Sequence, residues 1–325
     1  WYDRGVFNQK LFTDWTTWLV QRAHGKDPAL LCTGYPSLLS WDDSSDFSAG
    51  VDMEALCRAF DVNGCDTAAL DYGGERWAMS SITGFAMLQD LLQAFSPDHP
   101  NYDPELHLVN LKQPYPAAYV RAALWQGFLH GLSAASCWVY QRSEGIDSML
   151  TFQPRVMEEY LRTGLDLRRL VEPVRAFQRA PASAALLYSL TSVAYRSQHL
   201  PELRAAYEGT FFLDTKIGFV TERTVREGAL AHHKLLVLPE VSHVPQDVAD
   251  RIGDWVRAGG WLWLIGSGVE RDEADQPIPA LFELHQGELG GTGVLMAKLG
   301  EGTIVRTPSG ADAETTRRLG DILLT

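Results

Sequence analysis

The run "LHLVNLKQPYP", Leu106 to Pro116, is a short apolar stretch that ends at Lys112 and runs at once into a helical pattern. A lysine closing a buried strand has two chemical uses. Its amine can attack a carbonyl to form a Schiff base, or its ammonium can neutralise a carboxylate held beside it. Two other runs carry a different kind of group. "ALDYGGERW" gathers Asp71, Tyr72, Glu75 and Trp77 in one loop after an apolar strand, and "WVYQRSEG" does the same for Trp138, Tyr140, Arg142 and Glu144. Within a strand, Trp138 and Tyr140 project to the same face. Aromatic faces stack on the apolar faces of sugar rings, and two carboxylates flanking a glycosidic bond act as acid and nucleophile. Seven of the ten tryptophans fall in the first 138 residues, which concentrates such chemistry in the first half of the chain. The plainer use of these residues is packing for about half of the aromatics and a solvated charge for Glu144.

Other chemistries find little to work with. The nearest approach to a GxSxG elbow is "GLSAA", which lacks the final glycine. His130 closes a helical pattern, where a satisfied imidazole or a partner for the helix dipole is expected. "IGSGVE" follows a strand but lacks the third glycine of a dinucleotide loop and opens no clear helix. Cys32, Cys57, Cys65 and Cys137 form no CxxC pair and no zinc spacing, so free thiols in a reducing compartment are expected, with no metal and no cofactor. All four precede residue 138, which leaves the later half without a cysteine nucleophile.

The elements that must position these groups are readable from periodicity. Phe7, Leu11, Trp15, Trp18 and Leu19 recur at helical spacing. "ALLCTGYP" reads as a strand, "VDMEALCRAFD" as a helix, "DTAALDYGG" as a strand and "SITGFAMLQDLLQAF" as a helix. The strand at Leu106, the helix from Ala117 to Gly131, the strand from Ala135 and a long helix from Val156 to about Val174 complete the series. Strands alternating with helices predict parallel strands joined by right-handed crossovers. Near "RAPAS" the pattern restarts. "AALLYS", "IGFVTE", "HKLLVLPE" and "WLWLIG" read as strands, and "PQDVADRIGDWVRAGG" as an amphipathic helix stopped by Gly259 and Gly260. "VLMAKLGEGTIVRTP" reads as a hairpin and "AETTRRLGDILL" as a last helix. Two domains are expected, residues 1–180 and 181–325, the second a small doubly wound α/β fold.

The 325 residues carry a net charge of −13, which argues against nucleic acid or an anionic membrane surface as partner. No apolar run reaches the roughly 20 residues of a membrane span, and a cytoplasmic location is expected. The chain opens on Trp1 rather than Met, so an upstream segment is expected.

"FNQKLFTDWTTWL", the "DY" of Asp71 and Tyr72, and "AALWQGFLHGLSAASCWVYQR" resemble the second half of the barrel of family 42 glycoside hydrolases, the β-galactosidase-like enzymes. "HKLLVLPEVSHVPQDVADRIGDWVRAGGWLWLIG" resembles the trimerisation domain of that family. The resemblance implies the C-terminal half of a TIM (βα)8-type barrel followed by a flavodoxin-like, class I glutamine-amidotransferase-like α/β domain. It implies a carbohydrate substrate, a homo-oligomer of trimeric form, and a glycosidase. In such enzymes the acid/base glutamate ends the fourth barrel strand, which would lie ahead of the first helix here. The nucleophile glutamate ends the seventh. Aligned on "LKQ", that position holds Lys112 beside Gln113, and a shifted alignment gives the role to Glu75 or Glu105. A lysine has no route to a glycosyl acetal comparable to a carboxylate's. The alternative reading is therefore a non-catalytic saccharide-binding or assembly protein of the same build. A closed barrel takes eight strands and about 250 residues, so either an upstream segment or another chain is expected to close it.

Overall fold

The structure is a computed structural model that describes residues 2–37, 50–67, 81–108, 116–138, 153–195, 198–266, 268–278, 294–310 and 313–324. The chain divides into two compact units, Phe7–Ala180 and a second made of Pro181–Thr325 with the residues up to Val6.

The unit Phe7–Ala180 alternates helices and strands: α1 Tyr2–His24, β1 Thr33–Ser37, α2 Met53–Ala59, β2 Val62–Cys65, α3 Ile82–Phe95, β3 Asn101–His107, α4 Ala117–Leu129, β4 Leu132–Trp138, α5 Pro154–Arg169 and α6 Val171–Gln178. The four strands form one parallel sheet in the order β1-β2-β3-β4. Helix starts are set by local chemistry. Asp52 accepts the Ala55 N–H ahead of α2, Ser81 accepts the Gly84 N–H ahead of α3, and Pro154 opens α5 where its missing N–H costs nothing. Phe85 of α3, Val120, Ala123 and Leu124 of α4 and Val156 of α5 pack on Leu106, Leu108 and Leu132 from the sheet. Gly127 of α4 has to be glycine, because a Cβ there would lie 2.5 Å from the Phe85 ring. His130 ends α4 and pairs with Asp90 of α3 at 2.8 Å, a satisfied imidazole.

Several elements differ from the periodicity reading. β2 lies at Val62–Cys65, ahead of the expected "DTAALDYGG", and β3 begins at Asn101 rather than Leu106. Both are disguised by polar side chains that bond one another inside the fold: Asn63 donates to Asn101 at 3.0 Å, and Thr67 to Asp103. The long helix from Val156 breaks at Leu170 into α5 and α6. The apolar stripe of α1 lies on the surface, with Phe7, Leu11, Trp15 and Trp18 each more than half exposed, while Gln9, Thr16 and Val20 face inward.

The second unit contains β5 Ala184–Tyr188, α7 Leu190–Ala194, α8 His199–Thr210, β6 Ile217–Thr221, α9 Glu222–Arg226, β7 Leu235–Pro239, α10 Gln246–Arg257, β8 Trp261–Ile265, β9 Leu295–Leu299, β10 Gly302–Thr307 and α11 Ala313–Leu324. Its sheet runs β6-β5-β7-β8-β10-β9, parallel except for the β9–β10 hairpin. The chain leaves β5 toward β6 on one side and returns to β7 on the other, the doubly wound pattern. Val248, Ala249, Ile252 and Val256 form the buried stripe of α10. Gly300 turns the hairpin at φ 60°, a conformation that favours glycine.

Candidate active site

The candidate site lies at the C-terminal ends of β2, β3 and β4, and a bulge in β3 builds it. The β3–β4 register shifts between Asp103 and Leu106. Three steps along β3, from Asp103 to Leu106, match only two along β4, from Ala135 to Cys137, so β3 carries one extra residue there. Leu106 and Leu108 go to the helix layer, so Glu105 and His107 face the other side of the sheet. On β2, Cys65 is buried and takes a 3.5 Å contact from Gln89 of α3, and Thr67 bonds Asp103. Asp66, between them, therefore turns to the same side as Glu105 and His107. The His107 N–H donates to the Thr67 carbonyl at 2.8 Å and holds the two strand ends together.

Asp66, Glu105 and His107 bring their donor atoms within 4.8 Å of one another. His107 Nε2 lies 3.3 Å from Asp66 Oδ1. Trp138, paired in register with His107 across β3–β4, places its ring centroid 6.2 Å from the imidazole. One step back along the same face, Tyr102 and Ser136 share a 3.0 Å hydroxyl contact. Asp103 works from behind. Its carboxylate receives the Thr67 hydroxyl and, at 3.1 Å, the Glu105 N–H, so it fixes the bulge that presents Glu105.

The electrostatics follow from this crowding. Burial, then the charge of Asp66 and a hydrogen bond with it, push the Glu105 carboxyl up from its ordinary range. Burial pushes Asp103 well above the carboxylate range, against the pull of Thr67 and the Glu105 N–H. Burial also raises the Cys137 thiol and the Tyr160 phenol to about 12, which keeps both neutral behind the sheet. A raised carboxyl is shifted toward the range in which it can serve as a general acid, and once ionised it can serve as a nucleophile. Asp66 and Glu105 are hydrogen-bonded, nearer than the roughly 5–5.5 Å between the acid and nucleophile of a retaining glycosidase. They form one coupled unit, and an opposed carboxylate would have to come from elsewhere. Two carboxylates and an imidazole are also donors that a hard or borderline cation accepts.

Of the residues singled out in the sequence, Trp138 stands at the end of β4 beside this cluster. Asp71, Tyr72, Glu75, Trp77, Lys112, Tyr140, Arg142 and Glu144 lie outside the described residues. Asp66 and His107 escaped the sequence reading, and Glu105 entered it only through a shifted alignment. The cue available was polar residues two apart, Glu105 and His107, at the close of a strand.

Among the described residues, the second unit offers no comparable opening at its topological switch point, the crevice where such sheets bind ligands. The buried Glu222 carboxylate fills it, accepting from Ser189 Oγ at 2.7 Å, Thr191 Oγ1 at 2.9 Å and the Thr191 N–H at 3.1 Å. Tyr195 stacks on His243 at 4.0 Å beside it.

No protein-family model matches the sequence, and comparison with curated proteins returns no significant match. Solved structures do match. A family 42 exo-carrageenase from Bacteroides ovatus aligns over 99% of this chain and 44% of its own, at 20% identity and TM-score 0.79. The β-galactosidase from Rahnella sp. R3 aligns over 99% of this chain and 57% of its own, at 16% identity and TM-score 0.78. A family 42 β-galactosidase from G. stearothermophilus gives 99% and 58%, at 16% identity and TM-score 0.74. These likenesses establish a shared fold, a mixed α/β build with parallel sheets of the kind found in family 42 glycoside hydrolases. The chain spans about half the length of these proteins.

Proposed function

We propose that the chain is part of a carbohydrate-active hydrolase of β-galactosidase type. In this reading residues 1–180 are the C-terminal half of a (βα)8 barrel, and residues 181–325 are a flavodoxin-like domain that serves assembly. The observation that carries the proposal is Glu105, presented by a bulge at a parallel strand end beside Asp66, His107 and Trp138. Catalytic side chains of barrel enzymes sit at that end of the strands. Glu105 takes the role of the catalytic carboxylate and Trp138 that of a stacking platform for the sugar. Asp71, Tyr72, Trp77, Tyr140 and Arg142 are assigned to the cleft wall. Lys112 is assigned as a structural cation that neutralises a nearby carboxylate, Glu75 or Glu144, rather than as a nucleophile.

The test is turnover of nitrophenyl glycosides and of neutral and sulfated galactan oligosaccharides by the full-length gene product. Glu105→Gln should lower kcat by roughly a thousandfold or more, as loss of a residue that acts covalently does, with the fold intact by circular dichroism. Unchanged turnover in Glu105→Gln would remove Glu105 from the mechanism. Saccharide binding by calorimetry without turnover of any substrate would favour the non-catalytic reading.

A further inference from the structure

We propose that His24, Cys32 and Asp61 form a binding site for a transition-metal cation of the zinc class, at the end of the first sheet opposite Glu105. The three residues come from separate elements. His24 ends α1, Cys32 immediately precedes β1, and Asp61 immediately precedes β2. Their side-chain donors, one nitrogen, one sulfur and one carboxylate oxygen, all lie within 4.8 Å of one another.

The frame that holds them does not need a metal. The Asp61 and Val62 N–H groups both donate to the Cys32 carbonyl, at 3.0 and 3.3 Å, and the Cys32 N–H returns a 2.8 Å bond to Asp61 Oδ2. Cys32 and Asp61 are thus locked across two strand starts. The Cys32 N–H acts on the carboxylate as an outer-shell donor does in a metal site, fixing its orientation. His24 Nε2 stands 2.9 Å from Asp61 Oδ2. Two nitrogen or oxygen ligands about 2.0–2.1 Å from a tetrahedral zinc ion are roughly 3.3 Å apart, so the His24–Asp61 pair has to open by only a few tenths of an ångström, while Cys32 Sγ, within 4.8 Å of both, closes on the ion.

The donor set selects the ion. Thiolate and imidazole favour zinc, cobalt and their neighbours over magnesium or calcium, which prefer oxygen. About a third of the His24 and Asp61 side chains is exposed, enough for an ion to enter and for water to complete a fourth position. On binding, the Cys32 S–H bond breaks, its proton passes to solvent and the sulfur lone pair joins the metal. For His24 to ligate through Nε2, its hydrogen bond to Asp61 Oδ2 breaks and the ring proton passes through solvent from Nε2 to Nδ1, which frees the Nε2 lone pair for the metal. The spacing of 24, 32 and 61 matches no zinc motif, and only the fold brings these residues together.

Cobalt(II) tests the assignment on the full chain, because a thiolate ligand adds a near-ultraviolet sulfur-to-cobalt charge-transfer band. The expected result is one equivalent of cobalt bound with that band, displaced by zinc. The band should vanish in Cys32→Ser, and affinity should fall by more than about tenfold in His24→Gln, at least the cost of losing an outer-shell partner. The parent protein alone decides the case if a variant misfolds: cobalt binding without the band, or no binding, would overturn the site. A band that persists in folded Cys32→Ser would overturn it as well. The cluster of Asp66, Glu105 and His107 contains no sulfur and cannot produce the signal.

Discussion

At the scale of single residues, the candidate site depends on Asp103 more than its position suggests. It touches neither solvent nor the open face, yet its carboxylate fixes the Glu105 N–H at the bulge. Asp103→Leu should leave the Thr67 hydroxyl and the Glu105 N–H without their acceptor, at about 1–3 kcal/mol for each group that stays buried. Asp103→Asn keeps an acceptor and should be close to neutral. Urea unfolding of the pair separates these outcomes. Glu105 makes a prediction about pH. Its folded-state pKa is raised, so its stabilising contribution is complete below the ordinary glutamate value and is lost as pH rises through the raised value. Glu105→Gln should therefore gain on the parent as pH rises from acid toward neutral, and the difference should close again in acid. A parent and variant with parallel stability profiles would show that the Glu105 carboxyl is not raised in the fold. Such detail was hidden in the sequence because "NYDPELH" alternates no apolar residues, and a bulge cancels the period by which faces are assigned. Trp138 was legible, since "ASCWVY" is apolar and ends in aromatics.

At the scale of elements, the second unit was the more readable. "AALLY", "LLVLP" and "WLWLI" are buried over nearly their whole length, and such strands read as continuous apolar runs. α1 was readable as a helix but not as an exposed one, because periodicity reports that a stripe exists and not what covers it. α8 carries a residue that the pattern could not flag. His199 is fully buried, accepts the Ser189 N–H on Nε2 at 3.0 Å, and donates from Nδ1 to the Pro239 carbonyl at 2.7 Å. It staples the ends of β5 and β7. Burial pulls its pKa from 6.5 down to about 4. Because the folded value is the lower one, the stability His199 supports is present above about pH 6.5 and is lost as pH falls toward 4. The full span is worth on the order of 3 kcal/mol. His199→Ala should flatten this acid limb while costing about 2–6 kcal/mol at neutral pH, since two buried backbone groups lose their partners. Chemical denaturation of both proteins between those pH values checks the assignment, and an unchanged acid limb in the variant would contradict it.

At the scale of the molecule, the exposed apolar surface is unevenly placed. Among the described residues, all the large exposed hydrophobic side chains except Val6 and Phe212 belong to the unit Phe7–Ala180. Phe7, Leu11, Trp15 and Trp18 follow one another along α1, and Leu161, Leu165 and Val171 border a groove of about 860 Å³ with Leu124 and Phe128. In the same unit β1 and β4 are the outer strands of a parallel sheet, and all-parallel sheets occur almost only with both faces covered. Contiguous apolar patches of this kind mark contact surfaces. The resemblance to a trimerisation domain implies assembly through the second unit, whereas the apolar surface exposed among the described residues favours a contact through the first. We predict that the chain on its own associates at micromolar concentration, and that the first unit contributes the larger share. Leu11→Lys with Trp15→Lys should then shift sedimentation toward a smaller species without loss of helicity, since both positions are exposed and helical. A parent that sediments as a monomer would remove the prediction. A double variant that keeps the parent's assembly would return the interface to the second unit, as the trimerisation resemblance implies.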